Sequence, residues 1–422
     1  MSQFITINDR FSYLYALERK GIKVGLSHTK ELLARCGNPH VSFPSIHIAG
    51  TNGKGSTSAM IDSILRTAGY KVGLYTSPHL IRFNERVRVN GIPISDEDII
   101  QFIDQYHQDF ENIDSTFFET TTSLAFWCFS KQKVDIAIIE TGLGGRLDST
   151  NVITPKISVI TPVDKDHKEI LGSDIREIAR EKAGIIKKGV PLVLAMQSPK
   201  VKETILEIAR KMKSQVYNLE EPSDITVSKT ETSFQWDSKN FKTSLIGSYQ
   251  AQNAALAMKT VSLFDNRITR TQMREALNRV VWPGRMQVMS SSPWILYDVA
   301  HNAHGLINVL DSIRQMSNQK PLGVISIKED KDIADIADVI RNKFEHLIVT
   351  SDSNVGVMSA ELLEDGLRLH DIHANKIKSM EKAVAWLKTH LKENQLGLIF
   401  GSHYIGKATF NAFEFSFDRG AI

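Results

Sequence analysis

The stretch Ile46-His-Ile-Ala-Gly-Thr-Asn-Gly-Lys-Gly-Ser-Thr57 predicts a short apolar strand, a glycine-rich turn and the start of a helix. Glycines let the backbone approach an anion closely, and N–H groups at a helix N-terminus point toward its charge. Lys54 adds a cation for phosphate groups, and Ser56 or Thr57 offers a hydroxyl to a phosphate or to magnesium. The stretch therefore predicts a nucleotide-binding loop at the end of a strand.

The spacing within this loop, residues 50–57, differs from the common G-x-x-x-x-G-K-[ST] pattern. Gly50 stands only three residues before Gly53, and Gly55 separates Lys54 from Ser56. An ordinary strand-to-helix turn with a surface lysine is the structural alternative. The combination of strand, turn, lysine, hydroxyls and helix favours a P-loop of an unusual kind.

The composition is that of an ordinary globular protein and restricts the classes of function. The length of 422 residues is enough for two domains. The hydrophobic fraction of 42% and the charged fraction of 23% are ordinary for a globular protein. The net charge of +3 does not argue for a nucleic-acid surface, and no apolar run has the length of a membrane span. Residues 1–10 lack a signal-peptide core, and two isolated cysteines, Cys36 and Cys128, suit a reducing compartment. We expect a cytoplasmic protein without nucleic-acid or membrane partners.

Short apolar runs alternate with helical patterns along the first two thirds of the chain. This alternation predicts an α/β fold with a mostly parallel sheet covered on both faces. Residues 225–246 instead alternate polar and apolar side chains, which predicts a β-rich insertion at the edge of that sheet. The runs that predict buried strands are Ile46–Ala49, Val72–Tyr75, Asp135–Ile139, Ile157–Ile160 and Leu192–Leu194.

The dipeptide Pro283-Gly284 within Trp282–Arg285 interrupts a helical pattern and predicts a domain boundary near residue 285. A second set of strands and helices follows this boundary. We expect a P-loop ATPase domain over residues 1–284 and a smaller Rossmann-like α/β domain over residues 285–422. Its strands are predicted at Trp294–Tyr297, Leu322–Ile327, His346–Val349 and Leu396–Phe400.

Three polar residues follow predicted strands of the first domain, at the strand ends where open α/β sheets bind ligands. They are Ser77, Glu140 and His167. Serine and glutamate oxygens with one imidazole can hold magnesium next to nucleotide phosphates. The residues alone leave His167 undecided, because imidazole is uncommon on magnesium and the ring also suits a helix cap. For Glu140, the structural alternative is a salt bridge at the strand end.

Further polar side chains are candidates for nucleotide contacts. Gln250 and Asn253 carry amides able to read an adenine edge, and Arg285 carries a guanidinium able to clamp phosphate. Asp298 ends the first strand of the second domain, and His301 follows it. Each of these residue types binds nucleotides in proteins, but none is specific without its context.

The loop Gly50–Ser56 resembles that of the folylpolyglutamate synthase/dihydrofolate synthase family, a branch of the Mur ligase superfamily. The likeness covers about residues 10–310 densely and the last hundred residues more loosely. The chain departs from the family pattern at Tyr249, where histidine is common, and at Val299 and Ala303, where glycine and proline are usual. The other motifs that carry the likeness are Gly21–Leu26, Gly37–His40, Tyr75–Leu80, Phe83–Gly91, Phe118-Glu119, Glu140–Asp148, Thr150-Asn151, Asp166-His167, Glu181–Gly184 and Trp282–Met286.

The resemblance implies an ATP- and Mg²⁺-dependent ligase that forms an amide bond to L-glutamate by way of an acyl phosphate. It implies two acceptors, dihydropteroate and reduced folates, and two magnesium ions. We expect a monomer. The alternatives are a folylpolyglutamate synthase only, a cell-wall UDP-sugar-peptide ligase of the Mur type, and a nucleotide-dependent switch without ligation.

The resemblance also assigns roles to individual residues. Lys182, which by itself would be interpreted as a solvated helix lysine, is implied to become a carbamate that binds the second magnesium. The first magnesium is assigned to Ser77, Glu140 and His167, and catalysis to Lys54, Lys182 and His301. ATP is assigned to Gly53, Lys54, Gly55, Ser56, Thr57, Asn253, Arg285 and Asp298. The pterin-bearing acceptor is assigned to Thr116, Phe117, Phe118, Glu119, Leu147, Asp148 and Ser149, although either phenylalanine is equally compatible with the core.

Overall fold

The computed structural model describes residues 6–21, 25–351 and 356–415. Part of the Gly21–Leu26 motif, residues 22–24, lies outside the described residues. The described chain forms two compact units, the first from residues 6–221 and 253–277 and the second from residues 222–252 and 278–415. The domain ranges 1–284 and 285–422 stay a prediction.

An eight-stranded sheet organises the first unit. Its strands are β1 (Ser45–Ala49), β2 (Val72–Tyr75), β3 (Val87–Val89), β4 (Ile92–Pro93), β5 (Ile136–Glu140), β6 (Ile157–Ile160), β7 (Leu192–Leu194) and β8 (Val216–Asn218). The strand order across the sheet is β4-β3-β2-β5-β1-β6-β7-β8. The six strands β2, β5, β1, β6, β7 and β8 run parallel, and β3 and β4 form an antiparallel edge. The predicted mostly parallel sheet is confirmed.

Helices cover both faces of this sheet, so its central strands are buried along their whole length. Along one face, the sheet packs on aromatic side chains such as Phe102 and Phe126 beside β2 and β5, and on aliphatic ones such as Ile178 and Ile205 beside β6 and β7. The helices are α1 (Ile7–Ala16), α2 (Ser27–Arg35), α3 (Lys54–Thr67), α4 (Asp96–Ile113), α5 (Phe117–Gln132), α6 (Lys168–Leu171), α7 (Ile175–Ala183), α8 (Pro199–Lys211), α9 (Ser248–Phe264) and α10 (Arg270–Arg279). Residues of α9 and α10 are divided between the two units.

The β-rich insertion is confirmed as strands, but its predicted place at the edge of the large sheet is wrong. The strands β9 (Ser223–Val227), β10 (Thr232–Trp236) and β11 (Lys239–Thr243) form a separate antiparallel sheet in the second unit. Their alternating pattern buries one face only, where the rings of Phe234 and Phe241 stack at 5.9 Å. A sheet of this kind does not need helices on both faces.

The second unit also contains a six-stranded sheet, which confirms the predicted Rossmann-like α/β fold. Its strands are β12 (Gln287–Ser291), β13 (Trp294–Asp298), β14 (Leu322–Ile325), β15 (His346–Val349), β16 (Asn375–Lys376) and β17 (Gly397–Phe400), in the order β12-β13-β17-β14-β15-β16. All neighbours except β12 and β13 are parallel. The helices are α11 (Ala303–Met316), α12 (Ile333–Ile340), α13 (Ala360–Arg368), α14 (Met380–His390) and α15 (Gly406–Ala412). Within the described residues, no helix is both long and apolar enough to cross a membrane.

Candidate active site

The glycine-rich loop joins β1 to α3, as the sequence predicts. Gly50 and Gly53 have φ angles of 152° and 87°, which favour glycine. A Cβ atom on Gly50 would lie 1.8 Å from Thr161 Oγ1, and one on Gly53 would lie 2.4 Å from Asn253 Oδ1. The loop therefore tolerates no side chain at these two positions, and the structure brings Asn253 next to it.

Two lysines meet at one carbonyl oxygen of this loop. Lys54 Nζ donates to the carbonyl oxygens of Gly50 and Thr51, each at 3.2 Å, and Lys182 Nζ donates to the Gly50 oxygen at 2.8 Å. Lys182 is only 5% exposed, so its interpretation as a solvated lysine is wrong. Burial and, next, the charge of Lys54 lower the pKa of Lys182 from 10.5 to about 7. A large part of this amine is therefore neutral near pH 7.

The position of Lys182 follows from the packing of α7. The helix buries Ile178, Ala179 and Lys182 on one face. Its C-terminal end is held by the loop after β5, where Arg146 N donates to the Glu181 carbonyl oxygen at 2.7 Å. The side chains of Arg146 and Glu181 form an ion pair at 2.8 Å. These contacts fix the turn of helix that carries Lys182.

The parallel sheet brings Ser77 and Glu140 together. They follow the neighbouring strands β2 and β5, and Ser77 N donates to Glu140 Oε2 at 3.3 Å. Glu140 is 4% exposed, which makes it a buried acid at the carboxyl end of the sheet. The two predicted oxygen ligands therefore lie side by side.

His167 lies in the loop after β6, where it precedes the first residue of α6. Its Nε2 is 4.0 Å from Asp166 Oδ1, and its Nδ1 is 3.9 Å from Glu169 Oε1. Asp166 is also close enough to Lys182 to oppose the lowering of the lysine pKa. His167 thus belongs to an acidic segment beside Lys182. Among the described residues, no group of three His, Cys, Asp or Glu side chains is arranged to hold a metal.

Thr57 gives an independent indication that this loop fits a ligand. It is fully buried in the first turn of α3, and its Oγ1 has no hydrogen-bond partner. A buried hydroxyl without a partner costs free energy unless a ligand satisfies it. Hydroxyl and carboxylate oxygens from Thr57, Ser77 and Glu140 are hard ligands of the kind that Mg²⁺ prefers. The residues present therefore fit a magnesium nucleotide.

The four residues Thr116–Glu119 start helix α5. Thr116 Oγ1 accepts from Glu119 N at 3.4 Å, and Glu119 Oε2 accepts from Thr116 N at 2.7 Å, which is a capping box. Phe117 is 2% exposed and stacks on Tyr15 at 6.1 Å, whereas Phe118 is 38% exposed. Phe117 is therefore a core ring, and Phe118 is the aromatic side chain open to a ligand.

The residues Leu147–Ser149 lie in the loop after β5, beside Phe118. Asp148 Oδ2 accepts from Gly142 N and Leu143 N, each at 2.9 Å, so its carboxylate organises the loop itself. Ser149 Oγ donates to the Phe118 carbonyl oxygen at 3.3 Å. The structure thus joins both predicted acceptor-binding segments.

Asp298 is the centre of a polar cluster in the second unit. It ends β13, and its carboxylate accepts from Met286 N at 2.8 Å and Ala300 N at 2.7 Å. Tyr249 OH donates to Asp298 Oδ2 at 3.4 Å, so the tyrosine still supplies a donor where the family pattern has histidine. Burial raises the pKa of Asp298, and the charge of Arg285 opposes this effect.

His403 is a member of this cluster that the sequence reasoning missed. The guanidinium of Arg285 lies 3.4 Å from His403 Nε2, and the ring of His301 lies 5.8 Å from that of His403. The available signal was its position three residues after the predicted strand Leu396–Phe400, near the carboxyl end of that strand. The structure brings Arg285, Asp298 and His301 into one region of the second unit, as the sequence suggested.

The chain is similar to known proteins along most of its length. Residues 48–261 match the family model described as Mur ligase middle domain, and residues 284–403 match the Mur ligase, glutamate ligase domain. A Bacillus subtilis (strain 168) protein named dihydrofolate synthase/folylpolyglutamate synthase is 39% identical over 348 residues, 78% of this chain and 81% of that protein.

Two solved structures share the fold. Mycobacterium tuberculosis folylpolyglutamate synthase complexed with ADP and AMPPCP has a TM-score of 0.89 at 28% identity, and the match covers 97% of this chain and 100% of that one. Escherichia coli FolC in complex with DHPP and ADP has a TM-score of 0.87 at 28% identity, covering 98% and 99%.

Proposed function

The chain belongs to the Mur ligase family, among relatives named dihydrofolate synthase/folylpolyglutamate synthase, and on this premise we propose that it performs both of those reactions. It is an ATP-dependent glutamate ligase. The proposed acceptors are dihydropteroate and the glutamate tail of reduced folates, and L-glutamate is the second substrate. We place the enzyme in the cytoplasm.

The single observation that carries this proposal is the shared hydrogen bonding of Lys54 and Lys182 to the Gly50 carbonyl oxygen. A phosphate loop with one lysine serves many nucleotide-binding proteins. A second, buried lysine with a lowered pKa is not needed for nucleotide binding and is suited to covalent modification. This feature favours a ligase over a nucleotide-dependent switch.

In the proposed reaction, an acceptor carboxylate oxygen attacks the γ-phosphorus of ATP, and the bond to the ADP oxygen breaks with its electron pair going to ADP. The glutamate amine then attacks the carbonyl carbon of the acyl phosphate. Phosphate leaves with the electron pair of its C–O bond, and the amine nitrogen loses a proton. Lys54 and Arg285 would neutralise phosphate charge, and Asn253 and Asp298 would hold the nucleotide.

His301 is proposed to act near the transferred phosphate. Its ring is oriented by a hydrogen bond between Nδ1 and the Val299 carbonyl oxygen, at 2.9 Å. As Nδ1 donates to this oxygen, the ring has a defined tautomer and direction. A ring fixed in this way would donate to a phosphate oxygen through Nε2 when that nitrogen also carries a hydrogen, without losing further conformational freedom.

Magnesium, when bound, supplies positive charge to the phosphates. We propose Ser77, Glu140 and His167 as ligands of a first ion, and Lys182 as the ligand of a second ion after carbamylation. In the carbamylation, the neutral amine nitrogen attacks the carbon of CO₂, one C–O π pair moves to oxygen, and the nitrogen loses a proton. The product is an anion in place of a buried neutral amine.

The metal proposal has a direct test in Glu140→Gln, which keeps the size of the side chain and removes its charge. The Mg²⁺ concentration for half-maximal activity should rise about tenfold or more. Glu203→Gln, on the exposed side of α8, is a matched control. An unchanged Mg²⁺ requirement in Glu140→Gln would remove this residue from the metal site.

The two acceptors share the pterin and benzoate rings and differ mainly in where the reacting carboxylate lies. We propose that the exposed ring of Phe118 and the side chain of Leu147 contact the rings, beside the carboxyl end of the sheet. Thr116, Glu119, Asp148 and Ser149 would shape this site through the hydrogen bonds described above. One site of this kind can serve both acceptors.

The decisive experiment measures ADP formation by the purified chain with glutamate and either dihydropteroate or a reduced folate monoglutamate. We expect turnover with each acceptor and none when either glutamate or the acceptor is omitted. Turnover with the folate alone would reduce the function to that of a folylpolyglutamate synthase. If neither acceptor supports ADP formation, the proposal is contradicted and a cell-wall ligase is favoured. If ADP forms when no acceptor is present, a nucleotide-dependent switch is favoured.

A further inference from the structure

His47 is a buried polar residue for which the proposed reaction has no use. It lies in the middle of β1, is fully buried, and has strands on both sides. Its Nε2 lies 2.9 Å from Thr150 Oγ1, while its Nδ1 is buried without a hydrogen-bond partner. A histidine in the centre of a sheet needs an explanation, because an apolar side chain would remove the unsatisfied nitrogen.

The direction of the hydrogen bonds around Thr150 settles the tautomer of His47. Thr150 Oγ1 donates its hydrogen to Asp148 Oδ1. The hydroxyl oxygen must therefore accept from His47, which places the hydrogen of the neutral ring on Nε2. Burial and, next, the charge of Lys187 lower the pKa of His47 to about 3 and keep the ring neutral.

Asp148 connects this hydrogen bond to the loop after β5. Its Oδ1 also accepts from Thr150 N at 3.0 Å, and its Oδ2 accepts from Gly142 N and Leu143 N. The chain of bonds thus begins at His47 in the sheet and ends at backbone groups two and three residues after Glu140. The loop that it spans, residues 142–150, contains Leu147 and packs against Phe118.

We propose that His47 is a positioning residue that fixes the loop of residues 142–150, and with it the contacts to the acceptor substrate. Only the identity of the acceptor rests on the proposed function. The ring acts through Thr150, since its hydrogen bond directs the hydroxyl hydrogen toward Asp148. Without the His47 ring, the Thr150 hydroxyl is free to rotate, and the Asp148 carboxylate loses one of its fixed donors.

The test compares His47→Leu with the parent enzyme by hydrogen exchange and by steady-state kinetics. We expect amide exchange in residues 142–150 to accelerate about tenfold or more, because the N–H groups bound to Asp148 open more often. The KM for the acceptor should rise about tenfold, while the KM for ATP stays within about twofold. His47→Gln, whose amide can reach Thr150, should recover most of the acceptor KM.

Ser158→Ala is the matched control. Ser158 is the residue paired with His47 on β6, it is fully buried, and its Oγ donates to the Ile185 carbonyl oxygen at 3.1 Å. Ser158→Ala removes a buried hydrogen bond of the same sheet and leaves the hydrogen bonds within residues 142–150 in place. We expect lower stability with unchanged exchange in residues 142–150 and an unchanged acceptor KM.

The proposal is overturned if folded His47→Leu keeps both the parental exchange and the parental acceptor KM, or if Ser158→Ala reproduces its effects. If His47→Leu does not fold, Thr150→Val breaks the same connection from the other side and is measured in the same way. If the parent enzyme accepts no folate, the proposed function fails, and the exchange of residues 142–150 still decides the role of His47.

Discussion

At the scale of single residues, the protonation of Lys182 is the property with the clearest experimental consequence. With a pKa lowered from 10.5 to about 7, the amine is neutral above pH 7 and becomes charged as the pH falls through 7. A charged amine cannot form a carbamate, so we expect activity to fall on the acid side of about pH 7. The measurement is a pH profile of ADP formation at constant dissolved CO₂.

Two variants accompany this profile. Lys182→Ala should lose at least about 1,000-fold in kcat, with partial recovery in acetate or formate, which can replace the carbamate. Lys188→Ala, on an exposed lysine nearby, should behave as the parent enzyme. Full activity in Lys182→Ala would contradict the assigned role.

Lys54 has two expected effects, one on the phosphates and one on the pKa of Lys182, and the substitution Lys54→Ala tests both. Lys54→Ala should keep the fold and lower kcat at least about 1,000-fold, because the phosphates lose their cation. It should also raise the pKa of Lys182, since the charge of Lys54 is the second cause of its lowering. The pKa of Lys182 in this variant is measured from the pH dependence of amine labelling. A pKa that stays near 7 would mean that burial alone lowers it.

At the scale of elements, the start of α5 is the feature to test. Thr116→Ala removes the N-cap side chain that accepts from Glu119 N, and should lower the free energy of unfolding by about 1 kcal/mol. Thr116→Ser keeps the hydroxyl and should retain most of that free energy. Urea denaturation with both variants measures it. Equal loss in the two variants would mean that the methyl group, and not the cap, stabilises the helix start.

The elements also show what could be predicted from the sequence. The parallel sheet and the loop at residues 50–57 were predictable, because apolar runs, glycines and one lysine are local signals. The difference in burial between Phe117 and Phe118 could not be predicted, since Phe117 packs against Tyr15, about a hundred residues away in the chain. The burial of Lys182 and the place of His403 depend in the same way on contacts between distant segments.

At the scale of the whole molecule, we predict a monomer in solution. Among the described residues, the four most exposed large apolar side chains are Leu369, Val41, Leu362 and Ile92, and they come from three separate segments. Scattered residues of this kind are normal on a monomeric surface. Light scattering should give a mass close to 47.3 kDa with and without nucleotide. A mass near twice that value at micromolar concentration would contradict the prediction.

The Gly50 carbonyl oxygen, which both lysines contact, belongs to the backbone. No amino-acid substitution can therefore delete this acceptor, and a side chain at residue 50 would only displace the loop. In evolutionary terms, the position of this acceptor can change only through the path of the chain. In engineering terms, replacing the amide between residues 50 and 51 by an ester would weaken the acceptor and would also remove the hydrogen bond from Thr51 N to the Pro162 carbonyl oxygen, at 2.9 Å.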